Sequence, residues 1–301
     1  MQSFSLAYGK GWLDFSFPDS IHVQQIAPGF VPGAVDPAAE VERAMDHPLG
    51  GINLDQFHNA KSAAIAVNDK TRPVPLHQLL PPLVARLERM GISSENIRFY
   101  FATGTHTPMT PSEMRSLLPP ALAERYPVYS HDCDDVAGLV DLGRTSFGTS
   151  VLCSGHFLQN DLKIVTGNIE PHHFAGFSGG AKTFSIGLAG RETINRNHSL
   201  LLDPRSRTGE FDHNPLRQEI EEIGRLAKID LALNAVLNEK KEIVKAFFGP
   251  PFDVIRAGIP IARQVCQTPV RGRYDLVIAS VGGHPKDINL YQAVKTLLNA
   301  A

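Results

Sequence analysis

Short apolar runs alternate along the chain with stretches in which apolar residues recur at every third or fourth position. Residues 63–69, AAIAVND, are a near-continuous apolar run, 76–91, LHQLLPPLVARLERMG, carry helical periodicity, and 97–106, IRFYFATGTH, open with a second apolar run. Uninterrupted runs of this length suit strands covered on both faces, so the three pieces predict a strand–helix–strand unit of a parallel sheet. The pattern repeats. Residues 112–126 predict a helix, 162–170 a strand, 214–229 a helix, and 230–238 with 242–249 a strand pair turned at 239–241. Residues 252–267 predict another helix and 274–283 a buried strand ending in Gly282-Gly283, after which 287–301 begin a helix. The fold class expected is α/β, a parallel or mixed sheet with flanking helices. The last strand–loop–helix reads as the beginning of a second, apparently truncated α/β domain, which divides the chain into 1–265 and 266–301. Residues 27–37, APGFVPGAVDP, read as a surface loop.

Composition narrows the partner. With 301 residues, of which 43% are hydrophobic, the chain can bury a sizeable core. A formal net charge of −2 excludes a general attraction to nucleic acid or to anionic membranes, so a small molecule is the expected partner. No basic segment followed by an apolar run opens the sequence, and no stretch approaches a membrane span, so a cytoplasmic protein is expected. Cys133, Cys153 and Cys266 are too scattered for a disulfide framework or a paired metal site and read as reduced thiols.

Parallel sheets bind ligands beyond the carboxyl ends of their strands, where loops converge and helices begin. Asp69 and Arg72 follow the first run: Asp69 could accept from a hydroxyl, and Arg72 could grip a carboxylate, although the segment alone favours an Asx turn beside a solvated arginine. His106 follows the next, among small residues that allow close approach, as an acid/base or a structural loop histidine. After 162–168 comes the densest segment, HHFAGFSGGAKT at 172–183. Gly176, Gly179 and Gly180 would expose backbone amides, Ser178 adds a hydroxyl, and Lys182 supplies an amine. A phosphate loop needs glycine where Ala181 stands, so ATP chemistry is not expected. An anion site or a tight turn with an exposed lysine remains, and a lysine held there can also be a nucleophile or covalent anchor.

His106, His172, His173 and His198 all lie on or beside loops that could share one site, although no spacing among them marks a zinc centre. Near the end, Gln292 and Lys295 are three apart on a predicted helix and share a face, able to meet one anionic ligand or to face solvent.

Taken in order, NDKTRP, ATGTH, HHFAGFSGGAK, TINRNHS, HNPLRQEIEEIG, LNAVLNE and GGHPKDINLYQAVK resemble the lactate racemase family that uses a nickel pincer nucleotide. The early YGKG also fits. The resemblance implies a racemase or epimerase of a 2-hydroxyacid, working by hydride transfer through a 2-oxoacid. It implies that Lys182 tethers the pyridinium-derived cofactor, a pyridinium-3-thioamide-5-thiocarboxylic acid mononucleotide carrying nickel, with Asp69, Ser178, Gly179 and Gly180 beside it. His198 resembles the protein ligand to nickel, His106 and His172 the acid/base pair, and Arg72, Gln292 and Lys295 the groups that orient substrate. Of the adjacent pair, His172 rather than His173 has the spacing to Lys182 that fits. Enzymes that synthesise the cofactor are the implied maturation partners. Two other readings compete: a non-catalytic module binding a nucleotide or anion through the glycine-rich loop, and a zinc-dependent hydrolase built on the same histidines.

Overall fold

The computed structural model describes residues 1–301 apart from Pro28, Asn53, Arg271, Pro285, Lys286, Ile288, Asn289, Tyr291, Gln292, Lys295 and 297–301. The chain forms two compact units: one spans Phe30–Cys266, and the other joins Met1–Gly29 to the segment that starts at Gln267.

In the smaller unit, β1 (Gln2–Tyr8) and β2 (Gly11–Phe17) pair as an antiparallel hairpin in which Tyr8 faces Gly11. Gly9 opens the two-residue turn at φ +56°, a conformation that favours glycine there. The YGKG motif is this turn. Phe4, Phe15 and Phe17 pack on one face, with ring centroids 5.8–6.2 Å apart. Residues 274–283, expected as a buried strand, form none, and Leu276, Val277 and Ile278 are 66%, 49% and 48% exposed. Apolar side chains alone do not make a strand; the backbone needs a neighbouring ladder, and among the described residues β1 and β2 pair only with each other. The helix expected at 287–301 lies mostly outside the described residues, as do Gln292 and Lys295.

The larger unit runs through α1 (Pro37–Asp46), β3 (Ala63–Asn68), α2 (Leu76–Arg89), β4 (Ile97–Ala102), α3 (Pro111–Leu117), α4 (Pro120–Arg125) and β5 (Val128–Ser130). A two-stranded ribbon follows, β6 (Leu139–Arg144) and β7 (Ser150–Ser154), then α5 (Gly155–Leu158) and β8 (Leu162–Asn168). A small hairpin, β9 (Pro171–His172) and β10 (Gly176–Phe177), leads into α6 (Lys182–Ser185), α7 (Arg191–Ser199) and α8 (Pro215–Leu226). The unit closes with β11 (Leu231–Leu237), β12 (Ile243–Gly249) and α9 (Pro251–Cys266). Six strands form one sheet in the order β12-β11-β8-β3-β4-β5, parallel except for the β11–β12 hairpin.

Both faces of this sheet are covered, which explains the unbroken apolar runs. Ala63, Ile65 and Val67 of β3 pack with Val41 and Met45 of α1 and Leu79, Leu80 and Leu83 of α2. Ala64 and Ala66, on the opposite face, pack with Phe184, Ile223, Val254 and Ile255 from the later helices. The helix expected over 112–126 is two helices instead, because Pro119 and Pro120 interrupt it. Leu118, ahead of them, takes an extended conformation, as a residue before proline must (φ −86°, ψ 153°).

The chain lays β3, β4 and β5 outward in one direction and then β8, β11 and β12 in the other. Connections from the adjacent strands β3 and β8 therefore diverge, leaving a crevice at their carboxyl ends.

Candidate active site

Asp69 and Arg72 follow β3 directly. Asp69 is 3% exposed, and its Oδ1 accepts from the Thr71 amide (3.0 Å) and hydroxyl (2.7 Å), so the Asx turn does form. Its other oxygen, Oδ2, accepts from His106 Nδ1 at 2.6 Å. Burial pushes the Asp69 carboxyl up, but the hydrogen bonds from His106 and Thr71 outweigh it and hold the group below its usual range. Donation from Nδ1 leaves His106 Nε2 with its lone pair, on a side chain 52% exposed. The Arg72 guanidinium has no carboxylate partner among the described residues, and its charge acts on both His172 and Lys182.

The segment after β8 is shaped by its glycines. At Gly176, φ is +70° and a Cβ would stand 1.7 Å from the Glu210 carbonyl oxygen, so no other residue fits. His172, on β9, is 6% exposed and its Nδ1 accepts the Ala175 amide hydrogen at 3.2 Å. Burial holds His172 well below the ordinary histidine value, aided by Lys182, His173, Arg72 and His198. Its ring stacks on His173 at 4.6 Å, and Phe174 meets His172 at 4.7 Å and His198 at 5.1 Å.

The glycine-rich loop is less open than its composition implied. The Ser178 amide donates to the Glu170 carbonyl (2.8 Å) and the Gly180 amide to Asn234 Oδ1 (2.7 Å). Arg217, fully buried and ion-paired with Glu221, donates to the carbonyls of Phe177 (2.9 Å) and Gly179 (3.0 Å). The loop is thus fastened to β11 and α8, and these amides serve that fastening rather than an exposed anion cradle.

Lys182 opens α6 as a half-buried amine with no hydrogen bond or ion pair among the described residues. Burial, with Arg72 and Arg217 nearby, lowers its pKa to about 7 against the opposing pull of Glu170 and Asp69. His198 sits in the last turn of α7, a helix tied to β7 through Thr193, whose hydroxyl accepts from the Leu152 amide at 2.9 Å. Burial and then Lys182 lower His198 to about 4, so it is neutral.

Three asparagines escaped the sequence reading. A Cβ at Gly167 would stand 3.3 Å from Asn68 Oδ1 and 3.7 Å from Asn234 Nδ2, so the glycine leaves a notch between them. Among the described residues, Asn68 Oδ1, Asn168 Oδ1 and Asn234 Nδ2 are buried without a hydrogen-bond partner. The available signal was asparagine within or closing three apolar strands: AVN, TGN and LALN.

The structure therefore brings Asp69, Arg72, His106, His172, Lys182 and His198 into one neighbourhood. Among the described residues, the trio of metal-ligating atoms within 4.8 Å of one another is Asp132, Cys133 and Asp134, none of them a site histidine. A zinc centre on His106, His172 and His198 is thus not preformed. A cavity of ≈ 380 Å³ lined by Arg98, Tyr100, Tyr129, Asp132 and His156 shares no residue with the site.

Residues 8–209 match the family model described as the lactate racemase N-terminal domain. The chain belongs to the lactate racemase family. It is 33% identical over 263 residues to a lactate racemase of Lactiplantibacillus plantarum, covering 86% of this chain and 62% of that enzyme. It is 31% identical over 301 residues to a lactate racemase of Thermoanaerobacterium thermosaccharolyticum, covering 98% of this chain and 70% of the relative. The apoprotein structure from that organism superposes with a TM-score of 0.85 at 30% identity, over 96% of this chain and 69% of the other. A Thermotoga maritima protein shares the fold at a TM-score of 0.62 and 19% identity, over 78% of this chain and 61% of that one. The chain thus spans between three-fifths and seven-tenths of these relatives.

The residues present suit a tethered nickel cofactor. Orphaned polar atoms gather around the segment that carries Lys182, where an added polar group could satisfy them. An amine near neutrality is a competent nucleophile, and a neutral imidazole is a competent nickel ligand.

Proposed function

We propose that this chain carries the cofactor-anchoring and proton-handling part of a 2-hydroxyacid racemase or epimerase, with lactate as the first substrate to test. The observation that carries the reading is the Lys182 amine, near neutrality and without an ion pair among the described residues, beside Arg72 and the Asp69-backed His106 at the crevice. In this reading Lys182 holds a nickel pincer nucleotide, His198 ligates its nickel, and Ser178, Gly179 and Gly180 line its seat. When bound, the cofactor supplies a hydride acceptor and donor.

The protein's residues do the rest. Arg72 grips the substrate carboxylate and fixes the direction of the C2–H bond. His106 Nε2 takes the hydroxyl proton as the carbinol is oxidised, and Asp69 stabilises the imidazolium that results. Oxidation would give a planar 2-oxoacid, and the centre would invert if that intermediate presents its other face before hydride is restored to C2 and the proton to the oxygen. His172 is the second histidine of this pair. The shared lactate racemase name of both relatives supports the reaction class.

Intact-mass and metal analysis of protein co-expressed with the cofactor-making enzymes tests the reading. Added mass localised to Lys182 with stoichiometric nickel is expected; protein carrying neither would refute it.

A further inference from the structure

We infer that Arg217 of α8 is a positioning residue for Lys182: it holds the glycine-rich loop by two carbonyls from inside the core and sets a buried cation close to the amine. Its consequence rests on the reading of Lys182 as a covalent anchor, whereas the contacts themselves lie within the protein.

α8 grips the whole segment around Lys182. Asn214 Nδ2 donates to the Phe174 carbonyl (2.8 Å), and the Arg217 fork donates to those of Phe177 (2.9 Å) and Gly179 (3.0 Å). Gly180, at φ +59°, passes so close that a Cβ there would stand 2.9 Å from Arg217 Nη2. Two turns along α8, a Cβ at Gly224 would meet that of Ala181 at 2.4 Å, and Ser185 Oγ donates to the Ile220 carbonyl at 2.8 Å. The residues before and after Lys182 are thereby fixed to one helix.

A loop clamp does not need a charge. Neutral amides could donate to the same carbonyls without taking an ion pair out of water, and buried pairs contribute little net stability. Arg217 is nevertheless a fully buried cation, balanced by Glu221. What the charge adds is a field at Lys182. Burial, Arg72 and Arg217 oppose a charged amine there, Glu170 and Asp69 favour one, and the neighbouring His172 and His198 are uncharged. Only the uncharged amine has the lone pair that forms a covalent bond, so the cation on α8 keeps the anchor reactive at neutral pH.

Trace acetylation of cofactor-free protein with acetic anhydride at a series of pH values, read at Lys182 by peptide mass spectrometry, tests this. Wild type should label with a midpoint of about 7. The double variant Arg217→Gln, Glu221→Gln keeps side-chain N–H donors and removes both charges. Its midpoint should rise by about one pH unit, which makes labelling about tenfold slower on the acid side. Glu221→Gln alone strips the Arg217 charge of its counterion, so its midpoint should fall by about half a pH unit, with roughly threefold faster labelling on the acid side. The opposite signs separate charge from mere support, because a loosened loop admits water and raises the midpoint in both variants. Circular dichroism shows which variants fold; if the double variant does not, Glu221→Gln decides alone. An unchanged midpoint, or a rise in Glu221→Gln, would overturn the inference. In protein co-expressed with the cofactor-making enzymes, the double variant should carry less added mass at Lys182, and equal loading would refute that consequence. Wild type with no added mass would refute the anchor reading and leave the labelling midpoints decisive for Arg217.

Discussion

Replacing Lys182 by methionine should stabilise the cofactor-free protein, and do so more at neutral than at alkaline pH. Folding lowers this amine from 10.5 to about 7. At about 1.36 kcal/mol per unit, the folded state opposes the charged form by at most ~5 kcal/mol. The sign follows from proton binding. Between those two values the unfolded chain holds the extra proton, so the penalty is complete below about pH 7, shrinks as pH rises, and is gone above 10.5. At pH 9 the ceiling has fallen to ~2 kcal/mol. Lys182 keeps partial access to solvent, which screens the charge, so a gain of ~2–3 kcal/mol at pH 7 is expected. Methionine has a similar length and no charge, so it removes the penalty while largely filling the space. Urea unfolding followed by circular dichroism at pH 7 and 9 measures the difference. A methionine variant no more stable than wild type at pH 7, or one whose advantage grows toward pH 9, would refute the reasoning. A variant that gains stability by losing the proposed cofactor anchor would be the usual trade between stability and function.

Asp69→Asn keeps the shape but removes the charge that supports protonated His106, so racemisation by loaded protein should drop by about 10²-fold or more while the fold survives, read by initial rates and circular dichroism. Gly176→Ala would drive a methyl group to 1.7 Å from the Glu210 carbonyl oxygen at a positive φ, and a loss of more than ~3 kcal/mol is expected in a thermal melt; an unchanged midpoint would contradict the packing. His198→Ala should lower nickel content in metal analysis yet leave the mass added at Lys182, since the proposed tether and the proposed metal ligand are separate groups. Nickel retained in full would remove His198 as the ligand.

Burial pattern was legible in the sequence because periodicity reports how each segment meets its surroundings. AAIAV, IRFYF and LKIV read as doubly covered strands, and each lies in the sheet with helices on both faces. Pattern was insufficient where backbone geometry or pairing decides. Pro119 and Pro120 split a periodic helix, and 274–283 has the apolar content of a strand without a ladder to join. The β6–β7 ribbon was missed because its β6 face is mostly exposed and carries no continuous apolar run.

For the site, the sequence by itself determined which chemical groups follow the strands: an aspartate and an arginine after β3, a histidine after β4, two histidines and a lysine after β8. Only the tertiary structure decided their states. Asp69 reaches His106 across 37 positions, Arg217 reaches the loop at Phe177 across 40, and Asn234 takes the Gly180 amide across 54. A residue's type states what it can donate or accept. Its pKa, tautomer and free valence depend on which distant donor or acceptor the fold places against it, and on how much water that placement excludes.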